Sequence, residues 1–318
     1  MMYNKISLNA FRLLLFSTLS LFAACNNTDD PAPDFVTGRN RFTIQINGDT
    51  REYYVHVPAG YNASAATPMV IMLHGTSGDG EKFYNISGWK EVGEAENILT
   101  VFPSSWHYCI LEDGVSSNTT KWTVYPGSFD YCTGQTPRDD IKFLREMIAS
   151  LSQTFNVDAK HIYLAGFSNG GQMAFRCAVE MSDVLAAVVE CAGTSGPDTT
   201  YTPKRKLPVA FQLGDKDDRY FQQQIPLFAF EQGLNTVDFF KRMVSTHQKT
   251  FGFAQTYTMS GDTTTAMVAN YPPTTPGENR EYLVGMIYNM GHVYPNGTNH
   301  WMKGAEVHWN WFKQFSMP

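Results

Sequence analysis

The chain is short of positive charge. It has 318 residues, with 24 Lys and Arg against 30 Asp and Glu, a formal net charge of −6, and a sequence pI of about 5.7. No basic stripe offsets that balance, so nucleic acid is not an expected partner. Cysteine is scarce, five in all. No Cys and His fall at metal-ligand spacing, so neither a metal nor a cofactor is expected. No internal repeat is evident. The apolar run Leu13 to Ala24 is too short to span a bilayer. What remains is the composition of a globular protein, 43% hydrophobic, 17% charged and 14% aromatic. That suffices for one large core.

The N-terminus reads as a targeting segment. Lys5 and Arg12 give a positive flank, and the apolar run ends Leu21-Phe22-Ala23-Ala24-Cys25. This is a signal-peptide pattern, and it resembles the bacterial lipobox, although Phe22 stands where a smaller aliphatic residue is usual. Residues 1–24 are expected to be removed and Cys25 lipidated, anchoring an exported protein to a membrane or cell surface. Plain secretion is the alternative. Asn26 to Pro33 is polar and proline-bearing, so 25–40 is expected to be a disordered tether. Residues 41–318 then form one domain, expected to be a monomer. Export permits disulfides. Cys109 and Cys132 bracket a Gly/Ser/Thr/Asn-rich segment, and a bridge between them is expected. Cys177 and Cys191 read equally well as buried thiols.

Along the domain, short apolar runs alternate with helical patterns. Tyr53 to Val57, Met69 to Leu73, Ile98 to Phe102, Ala186 to Glu190, Val209 to Leu213 and Tyr282 to Tyr288 read as strands. Continuous apolar runs such as Met69-Val-Ile-Met-Leu73 mark strands buried on both faces. Asp139-Asp140 opens a helix with Ile141, Leu144, Ile148, Leu151 and Phe155 on one face, and Val307, Trp311 and Phe315 share a face of another. This rhythm predicts an α/β fold with a mostly parallel sheet covered on both sides. Two segments interrupt it, the aromatic stretch Trp106 to Gln135 and the mixed insertion Gln222 to Asn279. Both read as long loops at the carboxyl ends of strands, where ligands bind in such sheets.

Chemistry is carried by Gly166-Phe167-Ser168-Asn169-Gly170. It follows the apolar run His161 to Ala165 and precedes a helical pattern, the strand–turn–helix setting of a nucleophile elbow. A serine hydroxyl needs a base to take its proton and an acid to hold that base in one tautomer. The carboxylate is expected in Gly214-Asp215-Lys216-Asp217-Asp218, just past the strand Val209 to Leu213. The base is expected at His292, which follows Gly291 after the last strand, with His300 the competing histidine. The order Ser, Asp, His is that of α/β-hydrolases. Acyl transfer also needs donors for the oxyanion. Leu73-His74-Gly75-Thr76 supplies the early turn, so the backbone N–H groups of Thr76 and Asn169 are the expected donors, with His74 structural.

These motifs, in this order over about residues 50 to 315, resemble the secreted polyhydroxybutyrate-depolymerase-like and feruloyl-esterase-like hydrolases related to carbohydrate esterase family one. The likeness rests on Arg51 to Tyr61, Leu73-His-Gly75, Asp140 with Phe143, Val157-Asp158, His161 to Gly171, Gly214 to Asp217, and Gly291-His292 with Pro295. The family turn G-T-x-D implies Asp217 as the acid, although Asp215 replaces the threonine. The resemblance implies a serine ester hydrolase acting on a polymeric or polymer-derived ester. A plant cell-wall feruloyl or acetyl xylan ester is the first expectation and a polyhydroxyalkanoate the second. A serine peptidase and a catalytically silent binding protein are the rival classes. Trp106, Trp122 and Tyr294 are the expected substrate-binding rings.

Overall fold

A computed structural model describes residues 35–125, 127–196, 201–221 and 229–318. The expected signal peptide, Cys25 and residues 25–34 of the expected tether lie outside them. The chain opens with β1 (Gly38–Ile46), β2 (Asp49–Val57), β3 (Thr67–Leu73), α1 (Gly80–Ile86), α2 (Trp89–Glu96) and β4 (Leu99–Pro103). An excursion follows, β5 (Trp106–Glu112), β6 (Val115–Lys121) and β7 (Asp130–Tyr131). The central part is α3 (Asp140–Thr154), β8 (Val157–Phe167), α4 (Asn169–Glu180), β9 (Ala187–Cys191) and β10 (Val209–Gly214). Then come α5 (Asp218–Phe221), α6 (Phe230–Thr236), α7 (Asp238–Phe251), β11 (Thr258–Asp262), β12 (Ala266–Tyr271), β13 (Tyr282–Ile287) and α8 (Gly304–Phe312).

Ten strands form one sheet in the order β1-β2-β4-β3-β8-β9-β10-β13-β12-β11. The strands β4, β3, β8, β9, β10 and β13 run parallel, flanked by antiparallel pairs. The central strands read as unbroken apolar runs because both faces are covered. Their period of two sorts alternate residues between the faces. Val70, Met72, Tyr163 and Ala165 pack with Trp89, Trp309 and Phe312 of α2 and α8. Ile71, Leu73, Ile162 and Leu164 pack with Leu144, Met147 and Met173 of α3 and α4, and the same core takes in Phe240 of α7. The fold is that of an α/β-hydrolase.

Three expectations change. The strand β1 begins at Gly38, so the tether does not extend to residue 40. It is an edge strand whose residues alternate strictly between an exposed face and one turned to the core, with the polar Arg39-Asn40-Arg41 at its start and Phe42, Ile44 and Ile46 inward. The stretch 106–135 is not an irregular loop. It is a three-stranded antiparallel sheet in the order β6-β5-β7, closed by Cys109–Cys132 with Cα atoms 5.4 Å apart. β6 carries almost no apolar residue to mark it (VSSNTTK). The region 222–279 contributes α6 and α7 to one face and β11 and β12 to the edge of the main sheet. Cys177 and Cys191 are free and buried.

Candidate active site

Parallel strands end together, and the site is built on that edge. Phe167 ends β8 beside Cys191 of β9, and Gly214 ends β10 beside Ile287 of β13. The segments leaving these ends carry Ser168, Asp217 and His292. Ser168 occupies the turn between β8 and α4 with φ 55° and ψ −120°. A non-glycine residue held there is strained, and such strain is characteristic of functional turns. Its hydroxyl is thereby set off the strand end, while its N–H is bonded to Cys191 O at 2.8 Å. The flanking glycines are required by close approach. A Cβ on Gly166 would stand 2.0 Å from Gly170 O, and one on Gly170 would stand 2.4 Å from His74 O.

The histidine comes from the loop after β13. His292 Nε2 is 2.8 Å from Ser168 Oγ, and its Nδ1 is 2.8 Å from Asp217 Oδ2. An ionised carboxylate only accepts, so Nδ1 donates and Nε2 is left to accept from the serine hydroxyl. Asp217 is fully buried and His292 is 19% exposed, which leaves the imidazole only partly open to solvent. Phe167 backs the imidazole with ring centroids 5.0 Å apart. The second oxygen of Asp217 accepts from Arg219 N at 3.1 Å, so both carboxylate oxygens are held.

Asp215 has a different task. Its Oδ1 accepts from Met290 N at 3.3 Å, while Lys216 N donates to Met290 O at 3.0 Å. It therefore clamps the histidine-bearing loop rather than the histidine. Gly214 permits that clamp, because a Cβ there would stand 2.0 Å from Met290 O. Asp218 opens α5 at the surface, 67% exposed. His300 is buried and faces Tyr288 O at 3.1 Å, so it takes no part in the cluster. His74 is structural. It accepts from Ser105 N at 2.9 Å and faces Gly75 O at 2.7 Å, and burial pushes its pKa down to about 4.

The cluster opens into a cleft of about 570 Å³ whose walls include Thr76, Asn169, Phe167, Phe129, Lys121, Glu112, Arg219 and Tyr220. Thr76 and Asn169 thus lie in the same cleft as Ser168. Asn169 is the first residue of α4, where main-chain N–H groups lack partners within the helix. Among the described residues no group of three or more His, Cys, Asp and Glu is placed to hold a metal ion.

The three expected substrate rings do not line this cleft. Trp122 is fully buried. Its Nε1 donates to His74 O at 2.9 Å and its main-chain N–H to Asn169 Oδ1 at 2.7 Å, so it ties the excursion to the elbow from beneath. Tyr294 is buried between Trp89 Nε1 at 2.9 Å and His308 Nδ1 at 3.0 Å. Trp106 is half-buried under the guanidinium of Arg138, 4.7 Å from its ring centroid. The aromatic stretch does wall the cleft, but through Phe129, Lys121 and Glu112 rather than the tryptophans. Lys121 Nζ lies 4.2 Å from the Phe129 ring centroid and 2.8 Å from Glu112 Oε1, so a cation joins two walls of the cleft. That hydrogen-bonded ammonium holds the Glu112 carboxyl below its usual range. Tyr220 was not among the expected cleft residues. Its hydroxyl donates to Ala192 O at 2.7 Å.

Comparison with known proteins agrees with this architecture. The dienelactone hydrolase family model matches residues 132–270, which include Ser168 and Asp217. NocK of Nocardia uniformis subsp. tsuyamanensis, named an esterase, is 31% identical over 176 residues, 55% of this chain and 47% of that protein. Feruloyl esterase B of Piromyces equi is 25% identical over 274 residues, 84% of this chain and 46% of that protein. The chain spans less than half the length of either relative. Among solved structures, an acetyl xylan esterase from Aspergillus awamori superposes with a TM-score of 0.57 at 13% identity, covering 86% of this chain and 99% of that one. The chain has the α/β-hydrolase fold, its 132–270 segment matches the dienelactone hydrolase family, and its sequence is similar to esterases of the feruloyl and acetylxylan kind.

Proposed function

We propose that this chain is a serine carboxylic-ester hydrolase working through an acyl-enzyme. The observation that carries the reading is the unbroken hydrogen-bond chain from Ser168 Oγ through His292 to the buried Asp217, both links 2.8 Å. In this reading Ser168 Oγ attacks the ester carbonyl carbon while His292 Nε2 takes its proton. The displaced electron pair rests on the carbonyl oxygen, facing the N–H groups of Thr76 and Asn169. Collapse expels the alcohol, which receives the proton from His292. Water then repeats the sequence, releasing the carboxylic acid and restoring the serine. Asp217 keeps the proton on Nδ1 and offsets the imidazolium charge that forms.

Relatives named feruloyl and acetylxylan esterases support a plant cell-wall ester as substrate. The pattern from Lys5 to Cys25 supports export and a lipid anchor. A fluorophosphonate probe tests the chemistry, since only an activated serine labels. Wild-type protein should label and hydrolyse 4-nitrophenyl acetate. Ser168→Ala should lose both, with a loss of several orders of magnitude in turnover. Residual activity within about tenfold of wild type would refute the assignment. Methyl ferulate, acetylated xylan and polyhydroxybutyrate, assayed side by side, rank the substrate classes.

A further inference from the structure

A separate cavity of about 200 Å³, lined by Thr194, Phe239 and Arg242, neighbours the catalytic cleft. Two contacts link their walls. Gln172 of the cleft donates to Thr194 Oγ1 at 3.0 Å, and the ring of Tyr220 packs on Phe239 with centroids 4.8 Å apart.

Charge around the cleft and its neighbouring cavity runs against the rest of the molecule. The chain carries a formal −6, yet the cleft is lined by Lys121, Arg219 and one carboxylate, Glu112, and the neighbouring cavity by Arg242. Lys121 is committed to that carboxylate at 2.8 Å, and the two arginines are not. Arg219 is 74% exposed, its Nε lies 4.0 Å from Asp218, and its charge also reaches Glu112 across the cleft. Arg242 has no ion-pair or hydrogen-bond partner among the described residues. The acid one turn before it, Asp238, is taken by Lys241 at 3.4 Å. One guanidinium without a partner among the described residues and one held only by a 4.0 Å pair to an exposed neighbour, beside the cleft that contains the nucleophile, suit planar oxyanions.

We infer that the substrate is the ester of an acidic polymer, whose carboxylates are held beside the nucleophile by Arg219 and Arg242. This rests on the esterase reading above and narrows it, because a neutral chain would leave both guanidinium groups unused. The carboxylates are those of sugar acids, the acidic groups of cell-wall polymers. Arg219 and Arg242 are binding residues and take no part in the bond-breaking step.

The test compares acetylated polygalacturonan with an acetylated neutral xylan of equal substitution, at low ionic strength. The proteins are wild type, Arg219→Gln, Arg242→Gln and the double variant, each checked by circular dichroism. Wild type should favour the acidic polymer by about fivefold or more in kcat/KM, and added salt should erase that preference. Each arginine removed should cut the preference roughly two- to fivefold, the loss carried by KM. Equal rates on the two polymers, or a double variant that keeps the preference, would overturn the inference. So would hydrolysis of 4-nitrophenyl acetate with no action on either polymer, which leaves the esterase reading standing. Failure to hydrolyse any ester would refute that reading and this inference together. Should the double variant not fold, the salt dependence of wild type on the two polymers decides.

Discussion

Replacing Trp122 with alanine should damage the fold and leave ester selectivity alone. The indole is fully buried, and truncating a buried aromatic of this size costs about 3–5 kcal/mol. Part of that is the lost Nε1 bond to His74 O at 2.9 Å, worth about 1 kcal/mol. The main-chain bond to Asn169 Oδ1 at 2.7 Å is untouched by a side-chain change, so the elbow keeps one of its ties. At about 2–4 °C per kcal/mol for a large domain, the melting temperature should fall by roughly 6–20 °C. Trp122→Phe refills most of the volume and loses only the N–H, so it should cost about 1–2 kcal/mol. Thermal melts followed by circular dichroism read the first effect. For the second, kcat/KM is compared on methyl ferulate and 4-nitrophenyl acetate, well below both melting temperatures. The two should fall together. A ferulate-selective loss of about threefold or more, with an unchanged melt, would mean the indole touches substrate, and the burial argument would fail.

Asp217→Asn should lower kcat by on the order of 10³–10⁴, because an amide can present a donor to Nδ1 and spoil the tautomer. Asp215→Asn should keep most of the turnover, since the clamp on Met290 N needs only an acceptor; steady-state kinetics on 4-nitrophenyl acetate separates the two. Breaking Cys109–Cys132 by the double serine variant should cost about 3 kcal/mol for a bridge spanning 23 residues. It should also raise KM, because Glu112, Lys121 and Phe129 all lie inside the closed loop; melts and kinetics of one sample measure both. Burial pushes the pKa of His74 down to about 4 and that of His308 to about 3, from 6.5. The unfolded chain therefore binds protons that the folded one refuses below pH 6.5. Stability should be fully present above that pH and fall as the pH drops toward 4 and 3, by up to about 1.4 kcal/mol per pH unit for each histidine. Urea melts across this range would show the slope, and a flat profile would refute it.

What could be read from sequence was what is local to the chain. A strand buried on both faces announces itself as an apolar run, so Met69 to Leu73 and Val209 to Leu213 were legible. The residues at their ends were then legible as a site, since parallel strands end on one side. What failed was any claim about where a ring points. Trp122 and Tyr294 are aromatic and near motif residues, yet both are held by partners distant in sequence, Trp122 by His74 and Tyr294 by Trp89. Phe129 lines the cleft only because β5, β6 and a disulfide carry it there. One local sign of that hairpin was available. Asp113 and Gly114 both have positive φ, 51° and 78°, and Asp-Gly is a strong signal for a tight hairpin.

The acid shows the same division at finer scale. Spacing within Gly214-Asp215-Lys216-Asp217-Asp218 offers three carboxylates, and only family likeness separated them. The physical separation lies in a contact absent from the local sequence, the approach of Met290 O to Gly214. That approach turns Asp215 onto the histidine loop and leaves Asp217 for the imidazole. The elbow was legible for the opposite reason. A Cβ on Gly166 would run into Gly170 O, and one on Gly170 would stand 2.5 and 2.4 Å from the carbonyl oxygens of Leu73 and His74. A side chain at Gly170 would drive the elbow off the strand that carries the His-Gly turn, and one at Gly166 would open the elbow itself. The contact that builds the cleft between Ser168 and Thr76 is therefore written into the motif as missing side chains. This is why two motifs far apart in the chain can be joined from sequence alone, whereas the rings around them cannot.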